Sequence, residues 1–182
     1  MAADLHHNAE NFGVVLTTVY HAARKRRIGM LFVANSSARE PMRDNGHIRI
    51  LLVDDHEPFR RYVYSMLQEQ ENMQVIGEAK NGLEAVERAE TLQPDVILLD
   101  IGLPGINGIE AARQIAESAC KARIIFLTQE LCTEVVQEAF DLGAWAYITK
   151  VQAGAELLPA VESVSRGERF VNDNNNNKYS NR

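Results

Sequence analysis

Short apolar runs alternate with amphipathic segments five times between Ile48 and Ser165, and this alternation restricts the fold more than any other feature. The apolar runs, which predict strands, cover residues 48–53, 75–79, 96–100, 123–127 and 144–148. The segments between and after them carry apolar residues at helical spacing. Strict strand–helix alternation builds a parallel sheet with helices on both faces. We therefore predict an α/β fold with a five-stranded, doubly wound parallel sheet.

The helices are predicted from their apolar faces and their ends. Pro58 suits the first turn of the first helix. The apolar face of this helix consists of Phe59, Val63, Met66 and Leu67. The second helix begins after the Asn81–Gly82 turn, and its predicted buried residues are Leu83, Ala85, Val86 and Ala89. Further helices are predicted at 109–119, 130–142 and 153–165.

The third apolar run is the most deeply buried part of the predicted sheet. Four apolar residues, Val96 to Leu99, are typical of a strand that is covered on both faces. The run ends at a carboxylate, Asp100, and a loop rich in Gly and Pro follows between 102 and 108. Open α/β sheets present reactive groups at such strand ends. We predict that Asp100 is a nucleophile that accepts a phosphoryl group.

Polar residues also follow the other strands at this edge of the predicted sheet. Asp54 and Asp55 follow the first strand, Thr128 follows the fourth and Lys150 follows the fifth. If the first strand lies beside the third, three carboxylates come together and require a cation. Mg²⁺ is the expected cofactor, because it is a hard ion that prefers oxygen ligands. Lys150 and Thr128 would then contact phosphoryl oxygens, which completes an aspartyl-phosphate site.

Each of these residues alone also has an ordinary structural explanation. An Asp before a helix is a common N-cap, and a single Lys or Thr after a strand has no functional meaning by itself. The occurrence of all of them at the same end of successive strands favours the functional interpretation.

The same residues form motifs that resemble the receiver domain of two-component response regulators. These motifs are Leu51-Leu-Val-Asp-Asp55, Leu98-Leu-Asp-Ile-Gly-Leu-Pro-Gly105, Thr128 and Ala146-Tyr-Ile-Thr-Lys150, and the match covers residues 48 to 170. The resemblance implies the flavodoxin-like strand order 2-1-3-4-5.

The resemblance also implies roles for individual residues. Asp54, Asp55 and Asp100 would hold Mg²⁺ together with the backbone carbonyl of Gly102. A histidine kinase or phosphotransfer protein would phosphorylate Asp100. Thr128 and Tyr147 would then reorient and change the surface of the fourth and fifth strand–helix units.

Two departures narrow the subtype. Chemotaxis-type receivers usually have Pro after the Lys, where this chain has Val151. With Gly167-Glu-Arg-Phe-Val171, this resembles the receivers of LuxR-type transcription regulators, which carry a helix-turn-helix domain downstream. Only 11 residues follow Val171, too few for two helices and a turn, so direct contact with nucleic acid is not expected. Gln129 replaces the small residue that is usual after the Thr, and is expected to narrow access to the site.

The ends of the chain differ from its middle part, residues 48–170, which is the predicted receiver domain. Residues 1–47 carry six basic and four acidic residues and are predicted to be a poorly ordered extension or linker. Translation from Met42 would remove most of them. Residues 171–182 contain six asparagines and are predicted to be disordered.

Charge and cysteine content exclude some classes of function. Residues 48–182 carry 13 basic and 21 acidic residues, a net charge of −8, which argues against binding to a nucleic-acid backbone. Cys120 and Cys132 show no metal-ligand spacing and fit a reduced cytoplasm. No apolar run approaches the roughly 18 residues of a membrane span.

We predict a single-domain receiver that signals through protein–protein contacts. Residues 130–166 are the expected contact region for a downstream protein or a second copy. Apart from autodephosphorylation, no turnover is expected. One alternative is a truncated LuxR-type regulator without its DNA-binding domain. Another is an Asp-nucleophile phosphatase on a Rossmann-like sheet. Such enzymes have an Asp-x-Asp motif at the end of the first strand, whereas here Asp54 and Asp55 are adjacent and the candidate nucleophile Asp100 is on the third strand, so this alternative is disfavoured.

Overall fold

Five parallel strands form one sheet in the computed structural model, which describes residues 46–129 and 133–170. The strands are β1 (Ile48–Val53), β2 (Met73–Ala79), β3 (Val96–Asp100), β4 (Arg123–Thr128) and β5 (Ala146–Thr149). Their order is β2-β1-β3-β4-β5, and every neighbouring pair is parallel. The predicted fold class and strand order are therefore confirmed. Because β1 lies beside β3, the carboxyl ends of these two strands meet.

The helices cover both faces of this sheet. They are α1 (Glu57–Gln68), α2 (Gly82–Leu92), α3 (Gly108–Glu117), α4 (Thr133–Asp141) and α5 (Ala153–Ser165). One core cluster joins the sheet to α1 and α5, and a second joins it to α2, α3 and α4.

The strands supply these two clusters by simple alternation, because successive side chains of a strand point to opposite faces. Ile50 and Leu52 belong to the cluster beneath α1 and α5, whereas Leu51 and Val53 belong to the opposite one. All four side chains are fully buried, and burial of each contributes about 1.5–3 kcal/mol to stability. A continuous apolar run therefore suits this sheet, since it is covered on both faces.

Local hydrogen bonds set several helix ends. The side chain of Asn81 accepts a hydrogen bond from the Glu84 N–H, and that of Asn107 accepts one from the Glu110 N–H, both at 2.9 Å. Such N-caps contribute about 1 kcal/mol each. His56 occupies the N-cap position of α1 and makes no capping bond with its side chain. Asp55 therefore does not serve as the cap of this helix.

Some predicted boundaries and faces differ from the structure. Helix α3 ends at Glu117 rather than at 119, because the Ser118 backbone is extended and its hydroxyl donates to the Ile115 carbonyl at 2.7 Å. Strand β5 begins at Ala146 rather than at 144, since the Ala144 N–H closes the end of α4 by donating to the Ala139 carbonyl at 3.0 Å.

The prediction that Leu83 is buried is wrong, since 63% of this residue is exposed. Its neighbour Gly82 takes the buried position at the start of α2 instead. One residue further along a helix turns the side chain by about 100°. Leu83 therefore points away from the core.

The chain after α5 returns to the edge of the sheet beside β5. Phe170 forms an isolated parallel bridge with Ala146, and its N–H donates to the Trp145 carbonyl at 2.9 Å. The Arg123 guanidinium lies 5.0 Å from the centre of the Trp145 ring and donates to the Ser165 carbonyl at 3.2 Å. These contacts join the end of α5 to both β4 and β5.

Several predictions concern residues outside the described part of the chain. These are the extension at 1–45, the start of the fourth helix at 130–132 with Cys132, and the tail at 171–182. Within the described ranges, no helix has the length and apolar character required to cross a bilayer.

Candidate functional site

Three carboxylates meet where β1 and β3 end. Ligand atoms of Asp54, Asp55 and Asp100 all lie within 4.8 Å of one another. Asp54 and Asp100 are buried, with 0% and 4% of their surface exposed, whereas Asp55 is exposed. The cluster has two inner carboxylates and one at its mouth. These three residues were predicted to converge. They do so because β1 and β3 are parallel neighbours, so their carboxyl ends meet.

Asp54 is held in place by its backbone and one side-chain oxygen. Its N–H donates to the Ala79 carbonyl on β2 at 3.1 Å, and its Oδ1 accepts from the His56 N–H at 2.8 Å. Its Oδ2 is buried and accepts no hydrogen bond of good geometry from any residue in the described ranges. The contact of this oxygen is an ion pair with Lys150 at 2.8 Å.

Lys150 connects the two buried carboxylates. Its Nζ lies 2.8 Å from Asp54 Oδ2 and donates to Asp100 Oδ2 at 2.9 Å. The same ammonium lies 4.9 Å from the centre of the Phe59 ring, a cation–π arrangement. Its backbone N–H donates to the Thr128 carbonyl at 2.6 Å, which ties β5 to β4 beside the site.

The burial and charge of this group of residues change their pKa values. Burial raises the pKa of Asp54 above its ordinary value of 3.8, more than the Lys150 ammonium and the His56 N–H lower it. Burial alone would lower the pKa of Lys150, but the carboxylates of Asp54 and Asp100 raise it above its ordinary value. The site therefore favours a charged Lys150, and its burial disfavours the ionised form of Asp54.

The loop between β3 and α3 is fixed by close backbone contacts. A Cβ on Gly108 would lie 2.0 Å from the Asp100 carbonyl oxygen, and one on Gly82 would lie 2.4 Å from the Ile106 carbonyl oxygen. Only residues without a side chain fit at these two places. The Gly108 N–H also donates to the Ile101 carbonyl at 2.9 Å. The loop that follows Asp100 is consequently held between α2 and its own strand.

The other predicted site residues lie at the same edge or along β5. Thr128 is buried beside Lys150. Gly102 is exposed, and a Cβ added to it would lie 3.8 Å from Asp100 Oδ2. Gln129 is exposed. Tyr147 lies further along β5, opposite Phe126 in the register, and is 4% exposed within the core beneath α2–α4. The Tyr147 ring is therefore in a buried, inward position in this structure.

A family comparison adds to this geometry. The profile of the family described as "Response regulator receiver domain" matches residues 50–162. The chain belongs to this family. The predicted resemblance is thus confirmed, and this part of the chain is the receiver domain of a two-component response regulator.

Individual relatives agree with this assignment. Transcriptional regulatory protein LiaR of Bacillus subtilis (strain 168) is 40% identical over 121 residues, which are 66% of this chain and 57% of LiaR. Response regulator UvrY of Escherichia coli (strain K12) is 38% identical over 124 residues, 68% of this chain and 57% of UvrY. This chain therefore spans 57% of the length of these two curated relatives.

Solved structures agree as well. A two-component response regulator of the LuxR family from Aurantimonas sp. SI85-9A1 has a TM-score of 0.69 and 32% identity, with 74% of this chain and 96% of that chain covered. The response regulator domain of Thermotoga maritima CheB has a TM-score of 0.62 and 37% identity, with 66% and 97% covered.

The carboxylate cluster suits the cation that receiver domains typically bind. These domains take Mg²⁺ at an acidic pocket, and the receiver described here has an all-oxygen donor set at the corresponding place. The buried Oδ2 of Asp54 accepts no hydrogen bond of good geometry from the described residues and has the Lys150 ammonium 2.8 Å away, so it is a carboxylate oxygen that pairs with a cation. The residues of this receiver domain therefore fit the ion.

Two neighbours of the site were missed by the sequence analysis. Phe59 was assigned to the core, although its ring faces the Lys150 ammonium. Arg60 was not considered, although it is 5% exposed and donates from Nη1 to the Asp54 carbonyl at 2.8 Å. Helical spacing could have identified Arg60 as a buried position, because it lies three and seven residues before the buried Val63 and Leu67.

Proposed function

We propose that this receiver accepts a phosphoryl group on Asp100 from a histidine kinase or phosphotransfer protein. The observation that carries the proposal is the position of Asp100. This carboxylate ends the central strand β3, lies in the acidic cluster and accepts a hydrogen bond from the Lys150 ammonium at 2.9 Å. Receiver domains interact with donors of both kinds.

In the proposed transfer, a carboxylate oxygen of Asp100 forms a bond to phosphorus while the P–N bond of the donor phosphohistidine breaks. The electron pair of that bond stays on the imidazole nitrogen. Lys150 pairs its ammonium with the phosphoryl oxygens, and Thr128 donates its hydroxyl to one of them. Both residues already lie at this edge of the sheet.

Asp54, Asp55 and Asp100, with the backbone carbonyl of Gly102, would hold Mg²⁺. When bound, the ion neutralises the carboxylates and stabilises the charge of the transferred group. The bonds of its N–H and Oδ1 hold Asp54 so that its Oδ2, now paired with Lys150, would face the ion, and the exposed Asp55 would bind it at the mouth of the cluster.

Phosphorylation of the purified protein with acetyl phosphate and Mg²⁺ tests this function. Intact-mass spectrometry should find one phosphoryl group on the wild type and none on Asp100→Asn. Asp141→Asn, at the exposed end of α4, is the matched control and should react like the wild type. EDTA should abolish the reaction.

Equal incorporation by Asp100→Asn would contradict the assignment. Repeated turnover of a small phosphate ester such as p-nitrophenyl phosphate would favour the phosphatase alternative instead. We propose that the receiver is a signal transducer that holds one phosphoryl group and loses it by autodephosphorylation. A cytoplasmic location is part of this proposal, because response regulators are generally cytoplasmic.

The proposed output is a change in the surface formed by residues 130–166. Thr128 would move towards the phosphoryl oxygens, and the Tyr147 ring would exchange between its inward position and an outward one. The two positions need only a small difference in free energy, so that phosphorylation shifts a population. A downstream protein or a second copy of the chain would bind the altered surface.

A second candidate is that this receiver works within a longer transcription regulator. The relative LiaR is named a transcriptional regulatory protein, and this chain spans 57% of its length. An in-frame helix-turn-helix in the genomic sequence downstream would favour this candidate over a single-domain receiver. Either way, the chemistry at Asp100 would be the same.

A further inference from the structure

A buried arginine lies directly behind the acidic cluster. The side chain of Arg60 on α1 is 6% exposed, and its Nε donates to Glu78 Oε2 on β2 at 2.8 Å. Its Nη1 donates to the backbone carbonyl of Asp54, also at 2.8 Å. The guanidinium therefore joins α1 and β2 to the end of β1.

Packing alone does not explain a charged group at this place. Arg60 lies on the same stripe of α1 as Val63 and Leu67, and both of these are apolar and fully buried. An apolar residue of similar volume usually serves stability as well as a buried ion pair, because burial of charge carries a desolvation cost. What an apolar residue cannot provide is the hydrogen bond to the Asp54 carbonyl.

That hydrogen bond completes the restraint of Asp54. The Asp54 N–H is bound to Ala79 on β2 and its Oδ1 to the His56 N–H, so its carbonyl is the remaining backbone group. The carbonyl belongs to the planar peptide that continues into Asp55. This plane includes the backbone nitrogen and Cα of Asp55, so Arg60 also fixes the position of these two atoms.

We propose that Arg60, oriented by Glu78, is a positioning residue that sets Asp54 and Asp55 for Mg²⁺ binding. The inference rests on the proposed function of the site. Arg60 touches neither carboxylate group in the bonds described above, so it acts through the backbone. Groups behind metal ligands commonly have such an effect, and their loss lowers metal affinity by about 10–100-fold.

Charge and position make opposite predictions for the variant Arg60→Met. Loss of a positive charge beside three carboxylates should strengthen Mg²⁺ binding if charge alone matters. Loss of the positioning bond should weaken it, by about tenfold. Isothermal titration calorimetry with Mg²⁺ measures the difference. Arg61→Met is the matched control, since Arg61 is 79% exposed and pairs with Glu57 on the surface of the same helix.

A metal-free measurement separates this inference from the proposed function. Amide NMR spectra of Arg60→Met without Mg²⁺ should show shifts at Asp54, Asp55 and His56 that Arg61→Met lacks. If Arg60→Met does not fold, Glu78→Met decides, because the Glu78 side chain is 45% exposed and its loss leaves the core intact. It removes the acceptor of the Arg60 Nε–H and should shift the same amides without Mg²⁺, which is the deciding measurement for this variant.

The proposed role of Arg60 would be wrong if the folded variant kept the Mg²⁺ affinity and the amide chemical shifts of the wild type. This holds even if its melting temperature falls. If the wild type itself bound no Mg²⁺ and accepted no phosphoryl group, the proposed function would fail instead. The metal-free amide shifts would then still show whether Arg60 positions the end of β1.

Discussion

The two halves of the sheet are stabilised in different ways. The site half is formed by β2, β1 and β3 with α1 and α2. Here neighbouring backbone segments are in direct contact or are joined by a buried side chain. Gly108 contacts the Asp100 backbone, and Arg60 binds the Asp54 carbonyl. In the output half, formed by β4 and β5 with α4 and α5, the link from α4 to α3 includes a half-exposed ion pair between Arg113 and Glu138.

A cavity in the output half increases this contrast. It has a volume of about 70 Å³ and lies between α3, β4 and the connection from α4 to β5. Ile115, Phe126, Leu142 and Trp145 are among its lining residues. Side chains beside a void lose contacts on one side and have room to move. In the described residues, the β1 and β3 ends of the site are therefore held by close backbone contacts, whereas the packing beside α3 and β4 leaves a cavity.

The largest effect is expected for Gly108→Ala. An exposed Gly at the start of a helix usually gains up to about 1 kcal/mol when changed to Ala. Here the new Cβ would lie 2.0 Å from the Asp100 carbonyl oxygen, so we expect a loss of about 3 kcal/mol in the free energy of unfolding. Urea denaturation measures it.

Gly102→Ala is the matched control, because its Cβ would meet its nearest neighbour at an ordinary 3.8 Å. We expect its unfolding free energy to stay within about 1 kcal/mol of the wild type. A Gly108→Ala protein as stable as the control would mean that the loop after Asp100 moves freely, and the contrast between the two halves would disappear.

A smaller effect of opposite sign is expected for Asp54→Asn without Mg²⁺. Because the pKa of Asp54 is raised in the folded protein, its ionisation costs stability as the pH rises above 3.8, the ordinary value. The variant avoids this cost and keeps the contact of Lys150 with Asp100. We expect it to be more stable by about 1 kcal/mol at neutral pH.

The gain should shrink as the pH falls, because Asp54 is then protonated in both the folded and the unfolded chain. Thermal denaturation between acid and neutral pH measures this dependence, with Asp141→Asn as the control. A variant less stable than the wild type at neutral pH would show that the site half is not under electrostatic stress.

The smallest effect is expected in the output half. A double-mutant cycle with Arg113→Met and Glu138→Gln should give a coupling energy of about 0.5 kcal/mol, because both side chains are half exposed. The pair between Arg61 and Glu57 within α1 is a reference for an exposed ion pair. A coupling energy of about 2 kcal/mol or more would mean that α4 is held as firmly as the site. This result would contradict the difference between the two halves.

The sequence was most informative where backbone periodicity alone determines position. Apolar runs revealed the strands, and parallel strands place their carboxyl ends at one edge. For this reason Asp54, Asp55, Asp100 and Lys150 could be expected to meet, and the structure brings them together.

It was least informative where one side chain reaches across elements. Arg60 is charged, and the pattern of α1 assigns charged residues to solvent, yet Glu78 and the Asp54 carbonyl make its burial favourable. Leu83 is apolar but exposed, because Gly82 occupies the contact with the β3–α3 loop. Helical spacing alone places Arg60 on the buried face of α1, but its partner Glu78 lies 18 residues away. Gly82 meets Ile106 of the loop, so no local pattern contains these contacts.

The bridge between Phe170 and Ala146 has a mechanical consequence. It attaches the chain leaving α5 to the strand that carries Tyr147 and ends beside Lys150. The hydrogen bond from the Phe170 N–H to the Trp145 carbonyl adds a second contact at this junction. A displacement of β5 would therefore also act on the chain that leaves α5. This attachment point lies two strands away from β3, the strand that ends at Asp100.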